Sequence, residues 1–478
     1  GSSFKDKTLC IRLMWGRALL VRHGASVGVK GAPLQPAASV ATLPLQPPGE
    51  GEVIVQVQAT ALTSTDILLC SELRPPLNDL LTLPAAPFVP GHYFCGEVIA
   101  VGPFVQGIST GEPVLGVLDS TTVLRAPPTD VSLTVGDSGG EEGSAGGCYR
   151  ERTLVEFSSL IPIASLLAAG CHMPSLIAHV PPMVEALICV TSHLRLMQGE
   201  VLLIIAPRLM DVIFLLQRLI LISANWIGPL HLVLLHGNPP TRADLERHPL
   251  LRPLLSPSPA KVANMGTDGE LPLNFLESFH GFSVEQHVQQ RFGTSPSIAQ
   301  LTSSLQKIVS RVVDSTGGLG IDVVLALDVD LAPPVAPPPE ETFSELVGGG
   351  SEASNTETLR PPTLLRTLIG ALHLRGRLVT NCSHVEMMPA DGEHLWIKEA
   401  SISFFNQHSS LLSAARKGRL LHAVVEVLKR IADSELPIAE SEIVQYRLFE
   451  QFNHALEAGV HRGSGGGSTD LRLIALLP

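Results

Sequence analysis

The 478 residues carry 33 Lys and Arg against 45 Asp and Glu, a net charge of −12, and 45% are hydrophobic while only 4% are aromatic. That length predicts two domains with cores packed mainly by Leu, Val and Ala, and the acidic balance argues against a protein whose whole surface tracks nucleic-acid phosphates. Seven cysteines at wide spacing, none in a C-x-x-C arrangement, argue against a disulfide framework or zinc ribbon and fit a reducing, cytoplasmic setting.

In chain order, residues 52–59 alternate, with Val53, Val55 and Val57 on one face, which predicts a half-buried strand. Residues 97–101 read as another, with Cys95 nearby as a small buried hydrophobe. Residues 201–205 are a continuous aliphatic run, the pattern of a strand buried on both faces. Residues 209–222 have helical length and apolar residues nearly all round, so a deeply packed helix is expected. The hydrophobic stretch 201–222 contains Pro207, Arg208, Asp211, Gln217 and Arg218, charges too costly for a membrane span. A strand at 230–235, an amphipathic helix at 301–313, a strand at 321–327, a helix at 364–374 stopped by Gly376, and strands at 377–380 and 402–405 follow. From Val201 onward strand and helix alternate, which predicts a doubly wound parallel sheet. Before it lies a strand-rich, turn-rich half of a different class.

Four stretches read as inserts that bury too little apolar surface to order themselves, and so as flexible surface loops. They are 127–147, 238–295, 332–362 and 463–468. Gly317-Gly318-Leu319-Gly320 lacks the G-K-[ST] ending of a phosphate loop and precedes a strand, so it reads as a turn. Arg416, Lys417, Arg419, Lys429 and Arg430 fall in one predicted helical region. They make either a solvated helix face or a contact for RNA.

Three motifs then stand in order: Pro87-Phe88-Val89-Pro90-Gly91-His92, Gly96-Glu97-Val98-Ile99-Ala100-Val101-Gly102, and Gly111-Glu112-Pro113-Val114-Leu115-Gly116. With the upstream Gln58-Ala59-Thr60-Ala61-Leu62-Thr63-Ser64-Thr65-Asp66, they resemble the barrel-like domain of medium-chain dehydrogenases and quinone oxidoreductases. Gly199-Glu200-Val201-Leu202-Leu203-Ile204, Thr316 to Val324 and Gly376-Arg377-Leu378-Val379 resemble that family's Rossmann strands. The last third, from Met388-Pro389-Ala390-Asp391-Gly392-Glu393-His394-Leu395-Trp396-Ile397-Lys398 to Lys417-Gly418-Arg419, is similar to the divergent quinone oxidoreductase-like, or zeta-crystallin-like, branch. The resemblance implies a GroES-like β-rich domain over 1–182, completed by 409–478, and a Rossmann-like domain over 183–408 with inserts at 238–295 and 332–362.

It also implies where chemistry should sit. The family holds its dinucleotide on a glycine turn, because the backbone must approach the pyrophosphate closely. Matching Gln217 to the family's helix Gln places that turn at Ala206-Pro207-Arg208-Leu209-Met210-Asp211-Val212, where no glycine remains. Pro207 removes a donor, Asp211 repels an anion, and Arg208 is the one feature that favours it. In the zinc branch a Cys and the His of G-H-E bind the metal. Thr63 stands in the first place, His92 keeps the second, and Tyr93 replaces the Glu. A histidine left without such partners reads as a hydrogen-bonded structural residue.

The sequence therefore predicts no catalytic, cofactor-binding or metal-binding residue and no cofactor. The function expected is a non-catalytic scaffold subunit, cytoplasmic and early-endosome-associated, of an assembly of the FERRY type that links messenger RNA to endosomes. Protein partners, or a second copy, are expected on the Rossmann edge strand near 402–405. The alternative is an active, zinc-independent NADPH-dependent quinone or enone oxidoreductase with an eccentric loop.

Overall fold

The computed structural model describes residues 15–22, 37–70, 88–124, 146–222, 228–238, 240–255, 279–285, 298–329, 331, 364–382, 385, 387–406, 409–412, 414–440, 443–460 and 473–478. The inserts 332–362 and 463–468, and all but the last two residues of 127–147, lie outside them.

The chain opens with an antiparallel pair, β1 (Trp15–Arg22) and β2 (Ala37–Pro44). Next come β3 (Glu52–Ala61), helix α1 (Ser64–Cys70), β4 (Tyr93–Val101), β5 (Pro113–Val117), the one-turn helix α2 (Ser120–Val123), β6 (Arg152–Glu156) and β7 (Leu160–Pro162). Val53, Val55 and Val57 are buried on one face of β3 while Gln56 and Gln58 reach solvent, the expected period of two. Ile54 is buried too, on the opposite face, under Leu45 and Leu154. Gly91, just before β4, has φ of +105°, and a Cβ there would stand 2.4 Å from Tyr149 Cδ1, so only glycine fits that turn.

Helix α3 (Met173–Ile188) then runs on as a π-helix over Cys189–Leu194. The sequence analysis names no helix here, and Pro181 and Pro182 lie inside it, where proline disfavours a helix. Burial of one residue after another against both halves of the molecule holds it in place. Met173–Leu194 is long and apolar enough to cross a membrane, but 72% of its most apolar window is buried inside the protein, as in a core helix.

The second half alternates as predicted: β8 (Leu202–Ala206), α4 (Ile213–Ile222), β9 (Leu230–Leu234), α5 (Arg242–Arg247), α6 (Arg252–Leu255), β10 (Phe279–Ser283), α7 (Ile298–Ser315), β11 (Ile321–Ala326), α8 (Leu364–Ala371), β12 (Leu372–Thr380), α9 (Pro389–Ile397) and β13 (Ser401–Phe404). Its six strands are parallel, in the order β10-β9-β8-β11-β12-β13. Leu202, Ile204 and Ala206 pack on one face of the sheet, Leu203 and Ile205 on the other, so β8 is buried on both. Helix α10 (Lys417–Ala432), β14 (Ile443–Arg447), α11 (Leu448–Val460) and β15 (Leu473–Leu477) close the chain. β15 pairs antiparallel with β3 and parallel with β14, returning the C-terminal segment to the first sheet, whose order is β14-β15-β3-β4-β5-β7 with β6 also on β3.

Two expectations need correction. The stretch 238–295 is not a loop where it is described. Leu245, Leu250, Leu251, Leu254 and Leu255 are buried in the main core, Gln217 Nε2 donates to the Leu250 carbonyl at 2.8 Å, and β10 is an edge strand of the sheet. Its polar composition hid the leucines that anchor it. The helix expected over 364–374 stops at Ala371, and Gly376 lies within β12 instead of ending a helix. An irregularity in register opposite Ile321 and Val323 accommodates Arg375 at φ of +64°.

Candidate functional site

Strand order reverses between β8 and β11, and in such sheets ligands sit beyond the carboxyl ends of the strands at that point. The junction after β8 is therefore where a dinucleotide's diphosphate would lie. Here Pro207 and Arg208 lead into a 3-10 turn, Leu209–Val212, that feeds α4. Asp211 folds back, and its Oδ2 accepts the Arg208 backbone N–H at 3.0 Å. The chain's own carboxylate thus holds a donor that a phosphate would need. Leu209 and Met210 pack against the core, and Met210 Sδ lies 3.2 Å from His248 Nε2. The carbonyls of Ala206 and Pro207 accept from Leu235 and His236, both at 2.9 Å, so the turn is also tied to the end of β9. With no glycine, two bulky side chains and an internal carboxylate, these residues do not fit a diphosphate.

The second place is the one the zinc branch uses. Asp66, on α1, accepts from the Thr63 backbone N–H at 3.0 Å and the Thr63 hydroxyl at 2.7 Å. Its other oxygen lies 2.6 Å from His92 Nδ1, and His92 Nε2 lies 3.0 Å from Ser120 Oγ. Asp66, His92 and Ser120 are completely buried. In the tautomer that carries its proton on Nδ1, Nδ1–H donates to Asp66 and Nε2 accepts the Ser120 hydroxyl. Both ring nitrogens are engaged, so a metal would have to displace Asp66 or Ser120 to reach one. Ser, His and Asp in this order resemble a nucleophilic triad, but a fully buried hydroxyl reaches no substrate. Sequence reading missed the roles of Asp66 and Ser120. The signal for Asp66 was present: Thr63-Ser64-Thr65-Asp66 has the spacing of a helix capping box, and the Asp66 N–H does return to Thr63 Oγ1 at 3.2 Å.

A third group lines the crevice. Asp328, just past β11, is pinned to the end of β12: its N–H donates to Asn381 Oδ1 at 2.7 Å, and its Oδ1 accepts from Asn381 Nδ2 at 2.8 Å. Burial, and then the Asp328 charge, push the Glu185 carboxyl on α3 up to about 8. Cys95 is buried on β4, and burial pushes its thiol far above its usual range.

Of the five basic residues expected in one helical region, four divide into two groups. Arg430 pairs with Glu426 at 3.2 Å and Glu435 at 2.9 Å, and Lys417 with Glu156 at 3.3 Å. Arg416 and Arg419 instead gather with Arg195 around His193, beside β13.

The family defined as the Alcohol dehydrogenase GroES-like domain matches residues 49–165, from just before β3 to just past β7. Mouse Quinone oxidoreductase-like protein 1 is 20% identical over 176 residues, which cover 35% of this chain and 45% of that protein. L-threonine 3-dehydrogenase of Pyrococcus horikoshii is 34% identical over 74 residues, 14% of this chain and 18% of the enzyme. The chain thus matches less than half the length of either relative. Among solved structures, human synaptic vesicle membrane protein VAT-1 homolog-like protein superposes with a TM-score of 0.53 at 13% identity, over 97% of this chain and 98% of that one. A Pseudomonas syringae quinone oxidoreductase does so with a TM-score of 0.52 at 15% identity, over 97% and 100%; likenesses at this identity establish the fold. Residues 49–165 carry the Alcohol dehydrogenase GroES-like domain, and the chain has the two-domain fold of these structures, a GroES-like domain joined to a Rossmann-like one. Over about a third of its length the chain is similar to a quinone oxidoreductase-like protein.

Proposed function

We propose that this chain is a non-catalytic subunit that keeps the dehydrogenase fold for its surfaces. One observation carries the reading: the Asp211 carboxylate takes the Arg208 N–H at the junction where a diphosphate would bind. On this reading no residue is catalytic and no cofactor or zinc is held. The domain division is 1–182 with 409–478, and 183–408. Partners dock on β13, one of the two edge strands of the parallel sheet. The resemblance of the last third to the zeta-crystallin-like branch supports the finer reading, a cytoplasmic, early-endosomal, messenger-RNA-linking assembly of the FERRY type. The test is thermal melting with NADPH. A true binder at a hundredfold excess over Kd gains about 2.7 kcal/mol, a shift of several degrees. No shift is expected, and a clear one overturns the reading.

The alternative, a zinc-independent NADPH-dependent quinone or enone oxidoreductase, has one observation in its favour. Glu185 keeps its proton near neutral pH beside the crevice, as protonation of a reduced quinone oxygen would require. Turnover of a simple quinone with NADPH would decide for it.

A further inference from the structure

The π-helical extension of α3 closes on Arg195, whose N–H donates to the Val190 carbonyl at 3.1 Å. Its φ is +46°, a left-handed value uncommon for a residue with a side chain. From there the Arg195 side chain returns to the helix end, and its Nε donates to the Ser192 carbonyl at 3.0 Å. Arg419, near the start of α10, reaches the same residue and donates to Ser192 Oγ at 3.4 Å. Arg416 is the N-cap of α10. The charges of all three arginines lie close enough to His193 that, after burial, they hold its ring below its ordinary range. Two segments more than two hundred residues apart thus gather three guanidinium groups around Ser192 and His193.

All three arginines are exposed, and among the described residues no carboxylate pairs with any of them. The carboxylates that follow them in sequence are already taken. Glu200 accepts from Arg377 at 2.7 Å and from the Met197 N–H at 2.8 Å, and Glu426 is held by Arg218 and Arg430, both at 3.2 Å. Lys417, between the two arginines of α10, is itself paired with Glu156. In a chain with a net charge of −12, such a local positive surplus draws an anion from outside. Its kind follows from shape and charge. A carboxylate offers two oxygens and a single charge, whereas a phosphate monoester offers three oxygens and nearly two charges, which suits several guanidinium forks at once. The Ser192 hydroxyl accepts from Arg419 and still has its proton to donate. A polynucleotide or an anionic bilayer spreads its charge over a wide area, where the rest of this acidic chain repels it and where Lys417 and Arg430 are already paired. Free small molecules are held in enclosed clefts, and these arginines stand exposed on the surface, so the phosphate is one that a larger molecule presents.

We propose that Arg195, Arg416 and Arg419 form a receptor for a phosphate monoester carried by a phosphorylated serine or threonine of a partner protein. The three guanidinium groups donate to the phosphate oxygens, and the Ser192 hydroxyl adds a further donor. The receptor stands where the end of α3 meets the start of α10, on residues outside β13. A partner bound here is recognised through its modification, so the contact is made when the partner is phosphorylated and released when it is not. Nothing in it involves the turn after β8, so it is independent of the non-catalytic reading.

The test uses the full chain and a fluorescein-labelled peptide with one phosphoserine among glycine and alanine residues, followed by anisotropy. Controls are the unphosphorylated peptide and the same peptide with glutamate in place of the phosphoserine. Saturable binding of the phosphopeptide is expected, weakened by salt, with both controls at least about tenfold weaker. The joint variant Arg195→Gln/Arg416→Gln/Arg419→Gln should lose the phosphopeptide to the same degree. Its circular dichroism and melting should match the wild type, because all three side chains are exposed. Equal binding of the unphosphorylated peptide by the wild type, or of the phosphopeptide by the variant, overturns the proposal. So does tighter binding of an oligouridine or of phosphoinositide-containing vesicles that is lost in the same variant, which would mark a nucleic-acid or a membrane surface. Free O-phosphoserine that displaces the phosphopeptide at concentrations near the peptide's own Kd would place a small phosphorylated molecule there instead of a partner. None of these outcomes depends on NADPH, so failure here and failure of the non-catalytic reading are separable.

Discussion

Replacing Asp66 with alanine tests the buried network most directly. The change removes the acceptor of three hydrogen bonds, from the Thr63 N–H at 3.0 Å, the Thr63 hydroxyl at 2.7 Å and His92 Nδ1 at 2.6 Å. The hydroxyl can rotate to another acceptor. The peptide N–H and the ring N–H cannot, and each buried donor left unmade costs about 1–3 kcal/mol. Two such donors make the expected loss about 2–6 kcal/mol. Urea unfolding of the full chain, followed by circular dichroism, reads this as a lower midpoint with an unchanged slope. His92→Ala combined with Asp66→Ala should lose much less than the sum of the single changes, because each leaves the other without its partner. A loss below about 1 kcal/mol, or strict additivity, would mean that the network is incidental to the fold. Zinc added to the wild type should leave its melting unchanged, since both His92 nitrogens are engaged; a stabilisation would refute that geometry.

Two further predictions concern pH. His179 is fully buried, with Nδ1 on the Ser175 carbonyl at 2.8 Å and Nε2 accepting the Ala439 N–H at 3.3 Å, and burial lowers it to about 4. The unfolded chain takes up this proton below about 6.5 and the folded chain does not. Its contribution is therefore complete above about pH 6.5 and is lost as pH falls toward 4, on the order of 3 kcal/mol. His179→Gln should flatten the stability curve over that window relative to wild type, as read by urea midpoints. Glu185 runs the other way. Its folded value of about 8 lies above the ordinary carboxyl range, so stability falls as pH rises from about 4.5 to 8. Glu185→Gln should raise the stability at pH 8 by on the order of 1–2 kcal/mol given its partial exposure, read as a higher melting temperature, and leave it nearly unchanged at pH 5.

The parallel sheet was legible because its strands are short aliphatic runs with helices between them, and β8, β9 and β11 lie within a residue of where the sequence puts them. The Gly317–Gly320 turn was legible for a similar reason, since Gly317, Gly318 and Gly320 all adopt positive φ. Helix α3 was not, because two prolines outweigh local pattern when tertiary burial is invisible. The arginine cluster was half legible. Arg416 and Arg419 stand out in sequence, but Arg195 and His193 lie more than two hundred residues away and meet them only through packing. The lost glycines were plain, yet what replaced them was not. A sequence reports an aspartate at 211; only the fold shows that its carboxylate turns back onto the peptide three residues earlier.

That last feature recurs. Asp66 accepts the N–H of Thr63, and Asp211 accepts the N–H of Arg208, each three residues before it. One lies where relatives in the zinc branch place a metal, the other where the Rossmann fold places a diphosphate. In each case a carboxylate held by its own chain satisfies a donor or partner that a ligand would otherwise meet. Tethering makes that occupation effectively intramolecular, so a free ligand competes against a high local concentration. Restoring glycine at one position of the 206–212 turn should therefore not restore binding. Asp211→Gly frees one N–H but leaves Leu209 and Met210 packed where they stand, and the turn gains flexibility that an ordered diphosphate site would have to remove. The same holds for Thr63→Cys at the other place, where His92 would still have to give up both Asp66 and Ser120 before either ring nitrogen could turn to a metal.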